Sequence, residues 1–553
     1  MTDPTLGNSQ GLRPRTPNDA PIRRAEQLAA EYGAPDANAA GLLCDRHPAD
    51  AVAFTFVQPD LSGIDVTFGE IRERSERVAA ALVEIGVREG DRVATLMGKS
   101  QELVVALLAI WRIGAVHVPL FTAFAPGAIA MRVNGNGTKL VITDAAQRAK
   151  LAPSDELPAA REWRVVTTGE ATGDDIAFAD LLENTGAAPE SVAVGGDGVL
   201  VELFTSGTTG TPKAVPMRLS GMAGVVMYFE YGIDCATGDV FWNIADPGWA
   251  YGLYIAILAP MASGHRSILL CAPFDPALTW QVLREYGVTN FAAAPTVYRA
   301  LRHSPMPDGL VLRHLSSAGE PLTPDVITWS KQALGVEIRD HYGQTETGMT
   351  VVNAWHPDLI ADIKSGSMGQ PMPGYTVEVL RLDSDEPAAV GESGRVAIAT
   401  DSTLLTFRGY RNAPERSAAR FTADGRWYVT GDVAARDADG YLTFASRDDD
   451  VILMAGYRIG PFEVESVLTS HDSVSEVAVI GVPDELRGEV LIAVAVASPG
   501  IEPDAALVGE LQQLVKRKLA AHVYPRRIHF VPELPKTPSG KVQRFLLRQQ
   551  FIS

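Results

Sequence analysis

The stretch RVATLMGKSQELVVALLAIWRIGAVHVPL, residues 92–120, decides the fold class of this 553-residue chain. It begins with an apolar run of strand length at 92–97, continues with a helical period from Glu102 to Trp111, and ends with a second apolar run at 115–120. A strand, a helix and a strand in this order form a βαβ unit, which places the two strands parallel in one sheet. The sequence therefore predicts an α/β fold.

The same alternation continues on both sides of this unit. A helical period precedes it through Val78, Leu82 and Ile85. Further strand-like runs follow at 138–144 (TKLVITD), 265–271 (HRSILLC) and 289–295 (TNFAAAP). We therefore expect a large, multi-sheet α/β domain over residues 21–448, after a loose polar tail at 1–20.

The pattern changes after about Ser446, where a charged RDDD run is followed by shorter elements. These are a helix beginning near Pro461, strands at 475–482 and 490–497, a helix at 505–519 and a strand at 527–531. The order predicts a small α+β domain over residues 449–553.

Composition excludes several classes of protein. With 46% hydrophobic and 21% charged residues the chain is expected to fold compactly, and a net charge of −19 argues against nucleic-acid binding. Three scattered cysteines suggest neither disulfides nor a zinc site. The most apolar stretch, 104–121, is interrupted by Arg112, His117 and Pro119, so we expect no membrane span. The N-terminus lacks an apolar signal core, and we expect a cytoplasmic enzyme.

A glycine- and threonine-rich loop follows an apolar strand in LFTSGTTGTPK, residues 203–213. Glycines let backbone N–H groups approach a phosphate, hydroxyls add donors, and Lys213 adds positive charge. The spacing is not that of a Walker loop, and a turn of this composition alone is most often a surface loop. The candidate phosphate-binding residues are Thr205, Ser206, Gly207, Thr208, Thr209, Gly210 and Lys213.

A second motif, DHYGQTE at 340–346, combines side chains that suit a nucleotide. Tyr342 offers a ring for stacking, Thr345 a hydroxyl for phosphate, and Glu346 a carboxylate that could hold Mg²⁺. A glutamate taken alone is more often a solvated surface residue.

Together these motifs resemble those of the adenylate-forming superfamily, which includes acyl-CoA synthetases, nonribosomal peptide synthetase adenylation domains and luciferases. The resemblance extends from about Phe68 to Arg544. It implies that Tyr342 stacks on adenine, that Thr345 contacts the α-phosphate of ATP, and that Glu346 binds Mg²⁺. It also assigns to the nucleotide site Asp340, Gln344 and the residues Gly319, Glu320 and Pro321 of the SAGEP loop.

Two later motifs extend the resemblance. In YVTGD, residues 428–432, Asp432 corresponds to the family aspartate that binds the ribose hydroxyls, and Arg447 to the arginine beside it. In PKTPSGK, residues 535–541, Lys541 corresponds to the lysine of the adenylation step. A lysine suits this step because an anionic carboxylate must approach an anionic phosphate.

The resemblance further implies that the small domain is mobile and rotates between two half-reactions. Asp449 corresponds to the hinge residue, and Gly456, Tyr457 and Arg458 lie on the face used for thioester formation. A charged RDDD run is otherwise an ordinary exposed loop, so this role rests on the resemblance.

The motifs look most like the branch of acetyl-CoA and medium-chain acyl-CoA synthetases. Acetyl-specific members have tryptophan where this chain has Gly343, so we expect a wider acyl pocket, with Trp249 and Ala318 nearby. The sequence thus predicts an ATP-dependent acid:CoA ligase that forms acyl-CoA, AMP and pyrophosphate. Its acids would be short-to-medium-chain, branched or aryl. We expect that replacing Gly343 by tryptophan would shift preference toward acetate.

Two other functions remain open. A stand-alone adenylating enzyme could load the acyl group onto a carrier protein instead of CoA. A non-catalytic nucleotide sensor is disfavoured because Lys541, Glu346 and Asp432 are all present.

Overall fold

The computed structural model of the chain describes residues 19–205, 212–448, 450–454, 457–484, 488–519, 523–537 and 541–551. The strands are β1 (Val52–Val57), β2 (Gly63–Thr67), β3 (Arg92–Leu96), β4 (Val116–Pro119), β5 (Thr138–Thr143), β6 (Arg164–Thr167), β7 (Ile176–Ala177), β8 (Val199–Thr205), β9 (Lys213–Arg218), β10 (Phe241–Asn243), β11 (Ser267–Leu270), β12 (Asn290–Ala293), β13 (His314–Ala318), β14 (Ile338–Gln344), β15 (Gly348–Val352), β16 (Ser367–Pro371), β17 (Val377–Leu380), β18 (Ser393–Ala399), β19 (Trp427–Arg436), β20 (Leu442–Arg447), β21 (Ile452–Met454), β22 (Tyr457–Ile459), β23 (Val474–Asp484), β24 (Gly488–Ala497) and β25 (Arg527–Phe530). The α-helices are α1 (Ala20–Tyr32), α2 (Phe68–Glu84), α3 (Gln101–Arg112), α4 (Pro126–Val133), α5 (Phe178–Leu182), α6 (Met222–Met227), α7 (Ala259–Ser263), α8 (Pro276–Glu285), α9 (Pro295–Arg302), α10 (Pro324–Ala333), α11 (Pro414–Ala418), α12 (Pro461–Thr469), α13 (Ala505–Lys518) and α14 (Arg544–Phe551).

The βαβ unit predicted at 92–120 is confirmed as β3, α3 and β4. The Ser100 hydroxyl accepts a hydrogen bond from the backbone N–H of Leu103 at 3.1 Å, which starts the helix. Gly114, at φ +69°, turns the chain back into β4, and β3 then pairs with β4 in parallel. The other strands and helices predicted from the sequence are likewise present.

Three sheets organise the chain. The largest has the order β17-β18-β19-β20-β16-β15-β14-β13-β12-β10-β11-β1-β2, parallel from β1 through β11, β10, β12 and β13 to β14, and antiparallel from β14 to β17. The second has the order β7-β6-β5-β3-β4-β8-β9 and is parallel except for the β8–β9 hairpin. The third, of β21 to β25, belongs to the small C-terminal domain.

The apolar cores follow this division. One extensive core joins α1, α2, α3, α6 and the first two sheets, whereas a separate core is built only from residues between 452 and 547. Each α/β layer therefore buries its own apolar faces, and the small domain carries a core of its own. None of the described helices is both long enough and apolar enough to span a membrane.

The first described helix lies at the expected end of the tail, and the boundary itself stays a prediction. Helix α1 begins at Ala20, with Pro21 in its first turn, where a proline needs no N–H partner. Residues 1–18 of the predicted tail lie outside the described part of the chain. The division at residues 448 and 449 stays a prediction.

Candidate active site

Asp432 forms the centre of a polar cluster at the end of the largest sheet. It lies in β19 directly opposite Arg447 in β20, and the Arg447 guanidinium donates to its Oδ1 at 2.9 Å. The Tyr342 hydroxyl and the Gln344 amide both donate to its Oδ2, at 2.5 and 2.6 Å. The structure thus brings together four predicted nucleotide residues that are up to 105 positions apart in the chain, from Tyr342 to Arg447.

A second cluster surrounds Glu346, which lies with Thr345 in the turn between β14 and β15. The Tyr410 hydroxyl donates to Glu346 Oε1 at 2.9 Å. The Lys213 ammonium lies over the Tyr410 ring, 4.9 Å from its centroid. Desolvation lowers the pKa of Lys213, nearby Arg420 lowers it further, and Glu346 opposes both effects. Cationic groups and one carboxylate therefore converge beside this turn.

The predicted phosphate loop sits at the end of the β8–β9 hairpin. Thr205 and Lys213 are cross-strand partners at the mouth of that hairpin. Lys213, at the end of this hairpin, lies beside the Glu346 cluster through its contact with Tyr410. Ser206, Gly207, Thr208, Thr209 and Gly210 lie outside the described residues.

Lys541 of the small domain reaches this region of the large domain. Although the residue keeps contact with solvent, the surrounding protein lowers the pKa of Lys541 by desolvation, and Arg447 lowers it further. The carboxylates of Asp432, Glu320 and Glu346 act in the opposite direction, which places them within electrostatic reach of the ammonium group. Its backbone N–H donates to the Thr537 hydroxyl at 3.1 Å.

Helix α14, just after Lys541, is fixed by partly buried ion pairs. Arg544 donates to both carboxylate oxygens of Glu465, at 2.7 and 2.9 Å. Arg548 donates to Asp450 at 2.6 Å, and Arg544 also lies 3.5 Å from that carboxylate. The C-terminal segment that carries Lys541 is therefore tied to the beginning of the small domain.

Asp340 and the SAGEP loop form a third group of predicted residues. The backbone N–H of Leu322, one residue after Pro321, donates to Asp340 Oδ2 at 3.4 Å, and Asp340 Oδ1 has no partner among the described residues. Burial raises the pKa of Asp340 to about 8, with Glu320 contributing in the same direction. Glu320 itself pairs with Arg299 at 2.6 Å.

Trp249 packs against the beginning of the same loop. Gly319 has φ +107°, and a Cβ atom there would lie only 2.7 Å from the Trp249 ring. The ring therefore occupies the space that any larger residue at 319 would need. Ala318, fully buried, precedes this glycine at the end of β13. Trp249 thus packs against the residue that follows Ala318, and the assignment of both residues to the acyl pocket stays a prediction.

The interpretation of Gly343 as an opened pocket wall needs correction. A Cβ atom at this position would lie 2.1 Å from the carbonyl oxygen of Gly348 and 2.8 Å from the Met349 Cα. The pairing of β14 and β15 shifts register between Tyr342 and Gly343, which directs the Cβ position at the neighbouring main chain. A tryptophan at 343 would displace strand β15. A shift of substrate preference toward acetate in Gly343→Trp would therefore not report on pocket width alone.

The structure describes only part of the residues that we predict for the hinge and the thioester-forming face. Asp449 and Gly456 lie outside the described residues. Tyr457 and Arg458 are described by their backbone alone, which pairs with Met454 and Leu453 in the β21–β22 ladder.

Two residues of the site were missed by the sequence analysis. Tyr410 holds Glu346, and the Arg420 guanidinium lies against Gly431, where a Cβ atom would be 2.5 Å from its Nη1. Both come from the segment between β18 and β19 and carry no spacing signal. In the sequence, only the glycines at 409 and 431 flank these two residues. In the structure both glycines have positive φ.

Known proteins are similar to this chain over most of its length. Residues 43–411 match the AMP-binding enzyme family and residues 463–541 match the AMP-binding enzyme C-terminal domain. The chain is 36% identical to acetyl-coenzyme A synthetase of Bacillus subtilis over 87% of this chain and 84% of that protein. It is 34% identical to the mitochondrial acyl-coenzyme A synthetase ACSM3 of Rattus norvegicus, over 90% and 86%.

A solved structure extends the likeness to three dimensions. The acyl-CoA synthetase of Brucella canis superposes with a TM-score of 0.74 at 41% identity, over 96% of this chain and 97% of that one. The likeness therefore extends over nearly the full length of both chains. The chain belongs to the AMP-binding enzymes of the adenylate-forming superfamily, within its group of acyl-CoA synthetases.

Proposed function

We propose that this enzyme activates a carboxylic acid with ATP as an acyl-adenylate and then transfers the acyl group to coenzyme A. AMP and pyrophosphate are the other products. The observation that carries the proposal is the position of Lys541. The small domain presents it within reach of Asp432, Glu320 and Glu346, where the nucleotide motifs of the large domain meet.

The first step joins two anions. An oxygen of the carboxylate attacks the α-phosphorus, the new C–O–P linkage forms, and the bond to pyrophosphate breaks. Lys541 and Lys213 are the cations placed to offset charge on the phosphorus and on the leaving group, and Thr345 is the hydroxyl beside them. No protein nucleophile takes part in this scheme.

The rest of the nucleotide would be held by the clusters described above. Asp432 and Arg447 would bind the ribose, because a carboxylate can accept from two vicinal hydroxyls. Asp432 already accepts from Tyr342, Gln344 and Arg447, and its remaining lone pairs leave capacity for a ribose hydroxyl. The unpartnered Asp340 Oδ1 suits the adenine amino group as an acceptor, with Gly319, Glu320 and Pro321 alongside.

Glu346 is the residue we assign to Mg²⁺. Within the described residues, no group of three histidine, cysteine or acidic side chains could hold a metal ion by itself. This fits Mg²⁺, which usually binds through one or two carboxylates together with substrate phosphates. When bound, it would supply positive charge to the departing pyrophosphate. Tyr410 orients the Glu346 carboxylate for this role.

The second step requires a different face of the small domain. The CoA thiol attacks the acyl carbonyl and AMP leaves. We assign Asp449 to the hinge and Gly456, Tyr457 and Arg458 to the thioester-forming face, on the family pattern. For the acid we propose short-to-medium-chain, branched or aryl compounds, with Trp249 and Ala318 lining the acyl site and the main chain at Gly343 closing one side.

The test separates the two steps. Lys541→Ala should abolish acid-dependent exchange between ATP and pyrophosphate while leaving CoA transfer from a supplied acyl-adenylate largely intact. Lys536→Ala is the matched control. It removes a lysine of the same motif, which pairs instead with Glu476 at 2.7 Å, and should retain both steps. Equal loss of both steps in Lys541→Ala would refute the assignment.

Acceptor and acid need a separate assay. AMP release should be measured over short, medium-chain, branched and aromatic acids, first with CoA and then with a purified carrier protein. CoA should support turnover with at least one acid. Turnover with the carrier protein alone would replace CoA by the carrier as acceptor, and absence of AMP with every acid would overturn the proposal.

A further inference from the structure

Three tyrosines, Tyr228, Tyr251 and Tyr254, are buried, with 1%, 3% and 6% of their surface exposed. The Tyr251 ring lies 5.8 Å from the Trp249 ring, and the Tyr251 hydroxyl lies 3.3 Å from that of Tyr228. Tyr254 is in the π-helical segment Gly252–Leu258 that follows directly. The segment after Trp249, the residue that we assign to the acyl site, therefore carries buried tyrosine hydroxyls.

Two of the three hydroxyls already donate hydrogen bonds within the protein. His341 is neutral because burial lowers its pKa to about 3, and its Nε2 donates to the carbonyl oxygen of Asn353 at 3.1 Å. Nδ1 must then accept, and the Tyr228 hydroxyl donates to it at 2.7 Å. The Tyr251 hydroxyl can donate to Tyr228 at 3.3 Å. This chain of hydrogen bonds leaves neither hydrogen free for a ligand.

The third hydroxyl, that of Tyr254, differs from these two in its hydrogen bonding. Among the described residues the buried Tyr254 hydroxyl finds no hydrogen-bond partner. It lies within electrostatic reach of the Glu346 carboxylate, and Tyr254 belongs to the segment that directly follows Trp249. A buried donor without a partner costs free energy that a ligand can restore by supplying an acceptor.

We propose that Tyr254 donates its hydroxyl hydrogen to an oxygen on the acyl group of the substrate, so that the enzyme selects acids bearing an ether or carbonyl oxygen over hydrocarbon acids of the same shape. The inference rests on the function proposed above. It follows because a pocket built to hydrogen-bond a substrate strongly rejects an analogue that leaves the donor of the pocket unpaired.

The experiment compares matched acids in the wild-type enzyme and in Tyr254→Phe. Methoxybenzoate and ethylbenzoate with the same substitution pattern form one pair, and levulinate and pentanoate form another. In the wild type the oxygen-bearing acid of at least one pair should have a kcat/KM about tenfold to hundredfold higher. In Tyr254→Phe that ratio should approach one, with the hydrocarbon acid unchanged or improved. The Tm should not fall, because no protein hydrogen bond is lost.

Tyr298→Phe provides the control. Its buried hydroxyl donates to the carbonyl oxygens of Phe291 and Ser316, at 3.2 and 2.9 Å. Its loss should lower the Tm and leave the ratio within each pair unchanged. The inference is overturned if wild-type enzyme treats both members of every pair alike, or if Tyr254→Phe slows both members equally. Absence of AMP with every acid would instead refute the proposed function itself.

Discussion

Asp340 is a carboxyl group held where it cannot easily ionise. Burial raises its pKa to about 8, whereas an aspartate in an unfolded chain titrates near roughly 3.9. Between these two values the unfolded chain releases a proton that the folded chain retains. Unfolding therefore becomes easier as pH rises through this window. At neutral pH the folded side chain is mostly a neutral acid.

The consequence can be measured with Asp340→Asn in the absence of nucleotide. Wild-type protein should lose unfolding free energy between pH 5 and pH 8, and the asparagine variant should lose distinctly less because its amide does not titrate. Urea unfolding at the two pH values provides the measurement. Equal losses in the two proteins would show that Asp340 ionises normally.

The Tyr410 hydroxyl donates to Glu346 and also interacts with Arg420, and phenylalanine at 410 would lose the bond to the Glu346 carboxylate. Removing a hydrogen bond to a charged group typically costs about 1.5–3 kcal/mol. Tyr410→Phe should therefore slow adenylation by roughly tenfold to hundredfold and raise the Mg²⁺ concentration needed for half-maximal rate. Tyr441→Phe is the control, since that hydroxyl donates to the Asp362 carbonyl oxygen instead. An unchanged Mg²⁺ requirement in Tyr410→Phe would contradict the role we give this residue.

At the scale of elements, helix α14 holds the small domain together at its C-terminal end. Its Arg544 neutralises Glu465, which is 7% exposed and also accepts the backbone N–H of Val479 at 2.7 Å. Arg544→Ala would leave that carboxylate buried without its cation. We expect the small domain to lose roughly 3 kcal/mol or more of unfolding free energy.

Hydrogen exchange is suited to this prediction, because it reports on β23 and β13 separately. Protection of β23 should fall in Arg544→Ala, while protection of β13 in the large domain stays constant. Arg517→Ala, at an exposed position of α13, should change neither. Uniform loss of protection in both domains would rule out a local effect.

Much of the fold could be predicted because its elements carry local signals. In the sequence, strand β3 is an apolar run and helix α3 is a stretch with helical periodicity. Ser100, between them, caps the helix. The residues of the compact motif at 340–346 do meet another candidate residue, Asp432, in the structure, and their roles stay predictions. The site was not predicted where contacts are long-range: Tyr410 meets Glu346 across 64 positions. Gly343 was misjudged because the register shift that aims its Cβ exists only in the paired strands.

Among the described residues, the apolar core of the small domain is separate from the clusters that form the large domain, and unfolding should show this. The small-domain core contains only residues from 452 to 547, so the two domains can lose structure independently. Calorimetry should resolve two transitions for the protein without ligands. A single transition with equal calorimetric and van't Hoff enthalpies would contradict this independence.

ATP should couple these transitions through Lys541. A ligand at a hundredfold excess over its Kd stabilises the state that binds it by about 2.7 kcal/mol. Nucleotide contacts from both domains should therefore raise both transitions in the wild type. In Lys541→Ala the small-domain transition should respond less, and an identical response would argue against contact of this lysine with the nucleotide.

The pairing of Arg447 with Asp432 has one further consequence. Strand β20 ends at Arg447, and Asp450, the anchor of α14, follows three residues later. Three residues span at most about 10 Å, so the ribose end of the site and the start of the small domain cannot move far apart. If the small domain rotates about this connection, as we propose, Asp432 and Arg447 lie close to the pivot and would move little. The ribose of the nucleotide would thus stay almost still while a different face of the small domain turned toward it.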